Sequence, residues 1–326
     1  MSWSLNKTLL VGIILRAGLG ISFNNILLSW SIIEVNLIFF IPILMFRKNF
    51  FFSNMTGLKY FFIQSLASII LLSIIMMTTI FSEETFLNFF ILLRLRWKIG
   101  IPPFHSWLIN LIIDLDYSNF FILSTWQKVI PFYIIRRLLN KYIEIMILVS
   151  LLFSLLLRIN QTRVKKMLVI SSIFTASWVI AAILFSKIFW IWVLLLYGII
   201  LWVAVKCLFP IKSQNKISFV IMSNSLKEKI ILFMVTLSIA GFPPLIGFYL
   251  KLLVIVGLIF LKIIFISTGL IFSSVILIYI YRTIFFTRLI RYSLELSYQS
   301  YPSYFNSFLI YPIIRITFLP LLIFFA

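Results

Sequence analysis

A single cysteine, Cys207, and a single histidine, His105, stand in a chain of 326 residues. With so few, no Cys/His cluster can hold zinc, haem or an iron–sulfur centre, and neither a metal nor a redox cofactor is expected in this chain. Acid is scarce as well. The chain has 8 Asp+Glu against 28 Lys+Arg, and charged residues make up 11% of it, where an ordinary soluble domain carries about 25%. Period-two alternation is missing, since stretches such as Ile69 to Ile80 are apolar on every face, and that excludes a porin-type barrel. Gly18-Leu-Gly20 lacks the strand–turn–helix setting of a dinucleotide loop and reads as close helix packing. No secretory signal and no Arg/Ser-rich presequence lies ahead of the first apolar run near Thr8, so the start is expected to be mature protein. That suits a bacterial inner-membrane protein or one made inside an organelle.

What fills the chain is apolar: 63% hydrophobic and 18% aromatic residues, with a mean hydropathy of +1.16. A bilayer core of about 30 Å takes roughly 20 apolar residues per helix, so this length holds about ten or eleven crossings and leaves no room for a soluble domain. The expected fold is therefore all-α and polytopic, one membrane domain over residues 1–326. Apolar runs and breakers place spans near 8–23, 26–46, 58–81, 86–113, 118–139, 142–158, 166–186, 188–209, 229–256, 260–289 and 305–326.

The formal charge of +20 would suggest nucleic acid in a soluble domain. Here it marks loops, and no nucleic-acid partner is expected. Basic residues of short loops stay on the side of synthesis. One side collects Lys7, Arg47, Lys48, Lys59, Arg158, Arg163, Lys165, Lys166, Lys206, Lys212, Lys216, Lys227, Lys229, Arg288 and Arg291. The other gets Arg136, Arg137, Lys141, Lys187 and Lys262. This asymmetry puts the N-terminus inside (cytosol or matrix) and, with an odd number of spans, the C-terminus outside.

Two spans carry the same interruption: Pro102-Pro103 within Gly100-Ile-Pro-Pro-Phe-His-Ser-Trp107, and Pro243-Pro244 within Gly241-Phe-Pro-Pro-Leu-Ile-Gly-Phe248. Proline removes a backbone donor and clashes with the preceding turn, so both helices are expected to break there, in polar or protein-lined surroundings. Each break falls in the fourth span of a set of five. The pattern reads as two five-helix repeats, 8–139 and 142–289, of inverted topology, with a further helix at 305–326 outside the repeat.

Ionisable residues at mid-span cost roughly 2.5–3.5 kcal/mol each on insertion scales and are functional candidates by default. Glu34 is the one carboxylate clearly within an apolar run. Lys98 precedes the first break, Lys128 lies in Ser124-Thr-Trp-Gln-Lys-Val129, and Lys251 follows the second break. Moving a carboxylate toward or away from a buried lysine loads or unloads a proton. Glu34 with Lys98 is the expected switch, and Lys128 and Lys251 would carry the proton onward. The plainer alternative is that these lysines snorkel or form fixed structural pairs, as Lys206 and Lys262 near span ends are expected to do. His105, just after the first break, is a further relay candidate beside the plainer reading of a structural histidine. Arg94 and Arg96 crowd Lys98 without an evident reason.

These residues resemble a known family. Trp30-Ser-Ile-Ile-Glu-Val-Asn36, Lys59-Tyr60-Phe61 with Gln64 and Ala67-Ser68, Pro103-Phe-His-Ser-Trp107, Thr125-Trp-Gln-Lys128 with Pro131, Asn160-Gln-Thr162 leading to Lys166 and Ser171-Ser-Ile173, and Gly241-Phe-Pro-Pro-Leu-Ile-Gly-Phe248 with Lys251 are similar, in order and spacing, to blocks of the subunit 2 family of mitochondrial NADH:ubiquinone oxidoreductase (complex I). The resemblance implies an antiporter-like subunit of the membrane arm, moving protons while other subunits oxidise NADH and reduce ubiquinone, so that the chain itself carries no redox chemistry. It implies the Glu34–Lys98 charge pair, Lys128 as connecting lysine and Lys251 as terminal lysine. It further implies adjacent small membrane subunits, the next antiporter-like subunit and membrane lipid as partners, and the mitochondrial inner membrane as location. About eleven spans resembles the shortened animal form. There are departures: Leu108 to Ile112 is apolar apart from Asn110, Arg94 and Arg96 are atypical, and Thr175 and Ser177 stand where many relatives have His and Gly. A relay through that histidine is not expected here. A free-standing cation/proton antiporter and a non-transporting scaffold are the competing readings.

Overall fold

In hydrocarbon every backbone polar group must be satisfied within the protein, and an uninterrupted apolar run does so as a helix. The computed structural model describes residues 2–45, 50–80, 84–138, 142–159, 161, 163–208 and 226–296. Its elements are α1 (Ser2–Ser22), α2 (Ile26–Met45), α3 (Phe50–Ile80), α4 (Glu84–Ile99), α5 (Ser106–Asp114), α6 (Tyr117–Ser124), α7 (Trp126–Arg137), α8 (Tyr142–Ile159), α9 (Val164–Phe185), α10 (Phe189–Leu208), α11 (Leu226–Ala240), α12 (Ile246–Phe260) and α13 (Ile264–Leu296). Six helices are long and apolar enough to cross a membrane among the described residues, and Thr8–Ser22 and Ile246–Phe260 are shorter apolar ones. The chain is a polytopic α-helical membrane protein. The span expected at 305–326 lies outside the described residues.

Exposed and buried faces are both apolar. Leu15, Ile69, Leu152, Leu156, Phe260, Phe265 and Phe272 stand exposed on the outer surface, which is the pattern of helices solvated by lipid rather than water. One helix differs. In α9, 89% of the apolar window is buried, against 28–39% in the other five long spans. It packs against α5, α7, α8, α10 and α12 and is the axis of the described bundle.

Both Gly-Pro-Pro stretches divide one helix from the next. The first separates α4 from α5 and the second α11 from α12, and both Pro-Pro bonds are cis. Gly100 and Gly241 end their helices with φ of +78° and +90°, a left-handed region that costs glycine little. Gly241 has a second reason to be glycine, because a Cβ there would stand 2.7 Å from Lys251 Cδ.

A third interruption carried no glycine or proline signal. The run expected as one span at 118–139 is divided at Thr125, which has φ −113° and ψ −77°. The Ser124 and Thr125 hydroxyls donate to the Phe121 carbonyl at 3.1 and 2.7 Å, which offers this turn an alternative to regular helix bonding. Pro131 lies inside α7 and removes one more donor six residues on.

Gly241→Ala forces a non-glycine residue to a positive φ and pushes on the Lys251 stem. It is expected to lower stability by about 1–3 kcal/mol, read as a lower thermal midpoint of the detergent-solubilised protein. An unchanged midpoint would contradict this account of the break.

Candidate functional site

Ending a helix inside a membrane leaves carbonyls without partners. At the first break, Trp107 Nε1 donates to the Trp97 carbonyl at 3.1 Å and Gln64 Nε2 to the Lys98 carbonyl at 3.3 Å. Arg96, itself buried, donates through Nη2 to the Pro102 carbonyl. This gives Arg96 a structural reason that the sequence did not supply, since its guanidinium closes the loop that the prolines open. Arg94 lies with its guanidinium carbon 5.4 Å from the Trp97 ring centroid, a cation–π distance.

Lys98 sits in the last turn of α4, where a helix dipole favours a cation. Its Nζ donates to Glu34 Oε1 on α2 at 2.8 Å. The two ends of this pair differ, with 2% of the lysine side chain exposed and 25% of the glutamate. Tyr60 is packed nearby between Phe40 and Trp107, with ring centroids 5.2 and 6.3 Å away.

Lys128, in the first turn of α7, is buried. Its Nζ donates to the Ser172 carbonyl at 3.3 Å and to Ser172 Oγ at 3.4 Å, both on α9. A cavity of about 20 Å³ is lined by Lys98 and Lys128 together with Tyr60, Gln64 and Gln127. A water needs roughly 10–15 Å³ and two to four polar partners, so this space has room for one.

Lys251, on α12, bends back to the end of α11, where its Nζ donates to the Ile239 carbonyl at 2.7 Å and also to that of Ala240. The ammonium closes the second break, as Gln64 and Trp107 close the first. It also lies 4.8 and 5.0 Å from the ring centroids of Phe174 and Trp178 on α9. Thus α9 carries the groups that meet both Lys128 and Lys251. None of this was readable from its hydropathy.

His105 stands just before α5, with its ring 6.1 Å from Phe153. It forms no hydrogen bond to Glu34, Lys98, Lys128 or Lys251. Lys262 occupies the turn between α12 and α13 and is exposed, and Lys206 is exposed and lies 5.3 Å from the Trp202 ring centroid. Two cations assigned to loops turn inward instead. Lys165 Nζ donates to the Ile113 and Leu115 carbonyls at 3.0 and 2.9 Å, capping α5. Arg158 is 0% exposed; it donates to the Met167 carbonyl and stacks 4.0 Å from the Tyr281 ring centroid. A cation beside a loop looks the same in sequence whether it is solvated or folded inward.

Comparison with known proteins follows the same lines. A family profile described as "NADH:quinone oxidoreductase/Mrp antiporter, TM" matches residues 24–277. The chain is 31% identical over 285 residues to NADH-ubiquinone oxidoreductase chain 2 of Anopheles gambiae, covering 85% of this chain and 83% of that one. With the protein of the same name from Locusta migratoria it is 28% identical over 300 residues, covering 88% and 86%. It superposes on a chain of respiratory complex I from Thermus thermophilus with a TM-score of 0.70 at 19% identity, covering 85% of this chain and 69% of that one. A chain of the Mrp complex from Dietzia gives a TM-score of 0.61 at 16% identity, covering 78% and 55%. At these identities the two structures speak for the fold alone.

Removing one member of a buried ion pair leaves the other uncompensated, whereas removing both does not. Glu34→Gln and Lys98→Met are each expected to lower the thermal midpoint, and the double variant to lose less than their sum by roughly 0.5–3 kcal/mol. Strict additivity would show that the pair is not energetically coupled.

Proposed function

The chain belongs to the NADH:quinone oxidoreductase/Mrp antiporter membrane family, within its NADH-ubiquinone oxidoreductase chain 2 members, and from that premise we propose that it moves protons as an antiporter-like core subunit of the complex I membrane arm. Oxidation of NADH and reduction of ubiquinone belong to other subunits of that assembly. The observation that carries this reading is the row of buried charge: Glu34 bonded to Lys98, a small cavity lined by both Lys98 and Lys128, Lys128 on Ser172, and Lys251 against Phe174 and Trp178 of the same helix. A hydrocarbon interior does not retain such groups without a use.

The mechanism follows from what each group can do. Glu34, partly open, can separate from Lys98 or approach it, and its approach favours the charged lysine while its departure favours release of the proton. A proton released from Lys98 meets the polar cavity and then Lys128. From Lys128 the hydroxyl-bearing face of α9 leads toward Lys251, whose carbonyl partners at the end of α11 favour an ammonium. His105, with no hydrogen bond to any member of this row, is a structural residue in this reading.

The finer architecture belongs to the same proposal. Five spans over 8–139 and five over 142–289 form two inverted halves with equivalent breaks, and a further helix follows at 305–326. The protein sits in the mitochondrial inner membrane, N-terminus in the matrix and C-terminus in the intermembrane space, beside small membrane subunits, the next antiporter-like subunit and lipid.

Two experiments test this. In a mild-detergent native gel stained for NADH dehydrogenase activity, the chain is expected in the active band at stoichiometric amount. Its migration in a small separate complex would support an independent antiporter instead. In the assembled complex, Lys251→Met is expected to lower the rate of proton translocation by about tenfold, and normal translocation with normal assembly would leave only a scaffold.

A further inference from the structure

A groove of about 680 Å³ runs between α1, α7 and α10, with Gly18, Val129, Trp190 and Trp202 among its lining residues. On α10 the lining extends from Trp190 to Trp202, about 18 Å of helix at 1.5 Å per residue. Spread over that length, the volume has a mean cross-section of about 40 Å², against roughly 80–110 Å² for a helix 10–12 Å across. The groove therefore suits acyl chains and not a further helix. Gly18 opens onto it. A Cβ at Gly20 would stand 2.9 Å from Ile130 Cγ1, whereas a Cβ at Gly18 would meet nothing within 4 Å. Of the two glycines expected to serve close helix packing, only Gly20 does so.

A second cavity, of about 240 Å³, continues the first and is cationic. Each chain segment reaches it three or four residues past the groove: Ile21 to Asn24, Val129 to Tyr133, and Ile191 back to Lys187. Helical neighbours at that spacing share a face, so the two spaces follow one another along the same elements. Arg136, Arg137 and Lys187 line the second one, and no carboxylate does. Arg137 is held in place, with Nη1 donating to the Asn24 carbonyl and Nη2 to Asn24 Oδ1 and the Tyr133 hydroxyl at 2.8 Å each. Its Nε–H and one Nη1–H are left for another acceptor. Among the described residues the charged groups of Arg136 and Lys187 have no hydrogen-bond or ion-pair partner. All three belong to the five basic residues on the sparsely charged side of the chain, where retention of basic loops does not account for them.

We propose that the two spaces form one binding site for an anionic phospholipid, with an acyl chain in the groove and the phosphate among Arg136, Arg137 and Lys187. Charge selects the head group. A phosphodiester of net negative charge meets three cations and no acid there, and guanidinium N–H groups match its oxygens in geometry. A zwitterionic head group would bring its own cation to the same place. The site is independent of whether the chain moves protons.

The test uses the chain in its native assembly, reconstituted into phosphatidylcholine vesicles with a trace of phospholipid that carries a photoreactive diazirine on its acyl chain. Labelled peptides are then read by mass spectrometry. The phosphatidylglycerol probe is expected to label residues 14–21 and 190–202 about tenfold more than a phosphatidylcholine probe with the same tail, and aqueous inorganic phosphate is expected not to compete. Arg136→Gln combined with Lys187→Gln is expected to remove that preference, with assembly checked on a native gel. Gly18→Leu, which fills the groove, should lower labelling by both probes, while Lys262→Gln, exposed in the α12–α13 turn, should change neither. Equal labelling by the two probes in the unaltered assembly requires no variant and would overturn the proposal. So would a preference that survives loss of Arg136 and Lys187, competition by free phosphate, or a high-resolution map with a partner's helix seated in the groove.

Discussion

The structure depends on one constraint: a helix that stops inside a membrane leaves carbonyl groups that only protein can satisfy. The chain stops two helices there, at Gly100 and Gly241, and satisfies the freed carbonyls with side chains. At the first break these are Trp107, Gln64 and Arg96, and Lys98 is left for Glu34. At the second, Lys251 takes the carbonyls itself. The breaks therefore do more than interrupt helices, since they make the polar environment in which an ammonium can exist at this depth. The same carbonyls and dipole ends that stabilise the charge also fix where it stands.

Around these breaks α9 supplies continuity. It meets Lys128 through Ser172 and Lys251 through Phe174 and Trp178. A helix packed on nearly every side can place small hydroxyls inward without exposing them to lipid. Ser171, Ser172, Thr175 and Ser177 are all buried there. Each donates to its own helix, so the row costs little in unsatisfied groups while leaving oxygens that can accept.

Much of this was legible in the sequence, for physical reasons that differ by element. The six long spans among the described residues followed from long apolar runs, and the breaks from Gly-Pro-Pro, because proline in a helix interior has few other outcomes. Glu34, Lys98, Lys128 and Lys251 stood out because charge in an apolar run is rare. The interruption at Thr125 was not legible, because its cause is a pair of hydroxyls bonding locally and not a breaker residue. Nor was the central place of α9, whose mean hydropathy of 2.3 is matched by α10; only packing separates them. Arg158 and Lys165 read as loop cations because sequence shows nearness to a span end but not the direction of the side chain.

The central claim is that the buried lysines form one connected route, and Lys128 is its middle member, just past the interruption at Thr125 but with its ammonium on Ser172 of α9 and not on carbonyls freed at a helix end. The most direct test is proton translocation by the assembled complex carrying Lys128→Met in proteoliposomes, with assembly checked on a native gel. The account predicts a normally assembled complex whose translocation rate falls about tenfold or more. Translocation at the unaltered rate would contradict it, and would leave Lys128 a buried cation bonded to Ser172 with no part in proton movement.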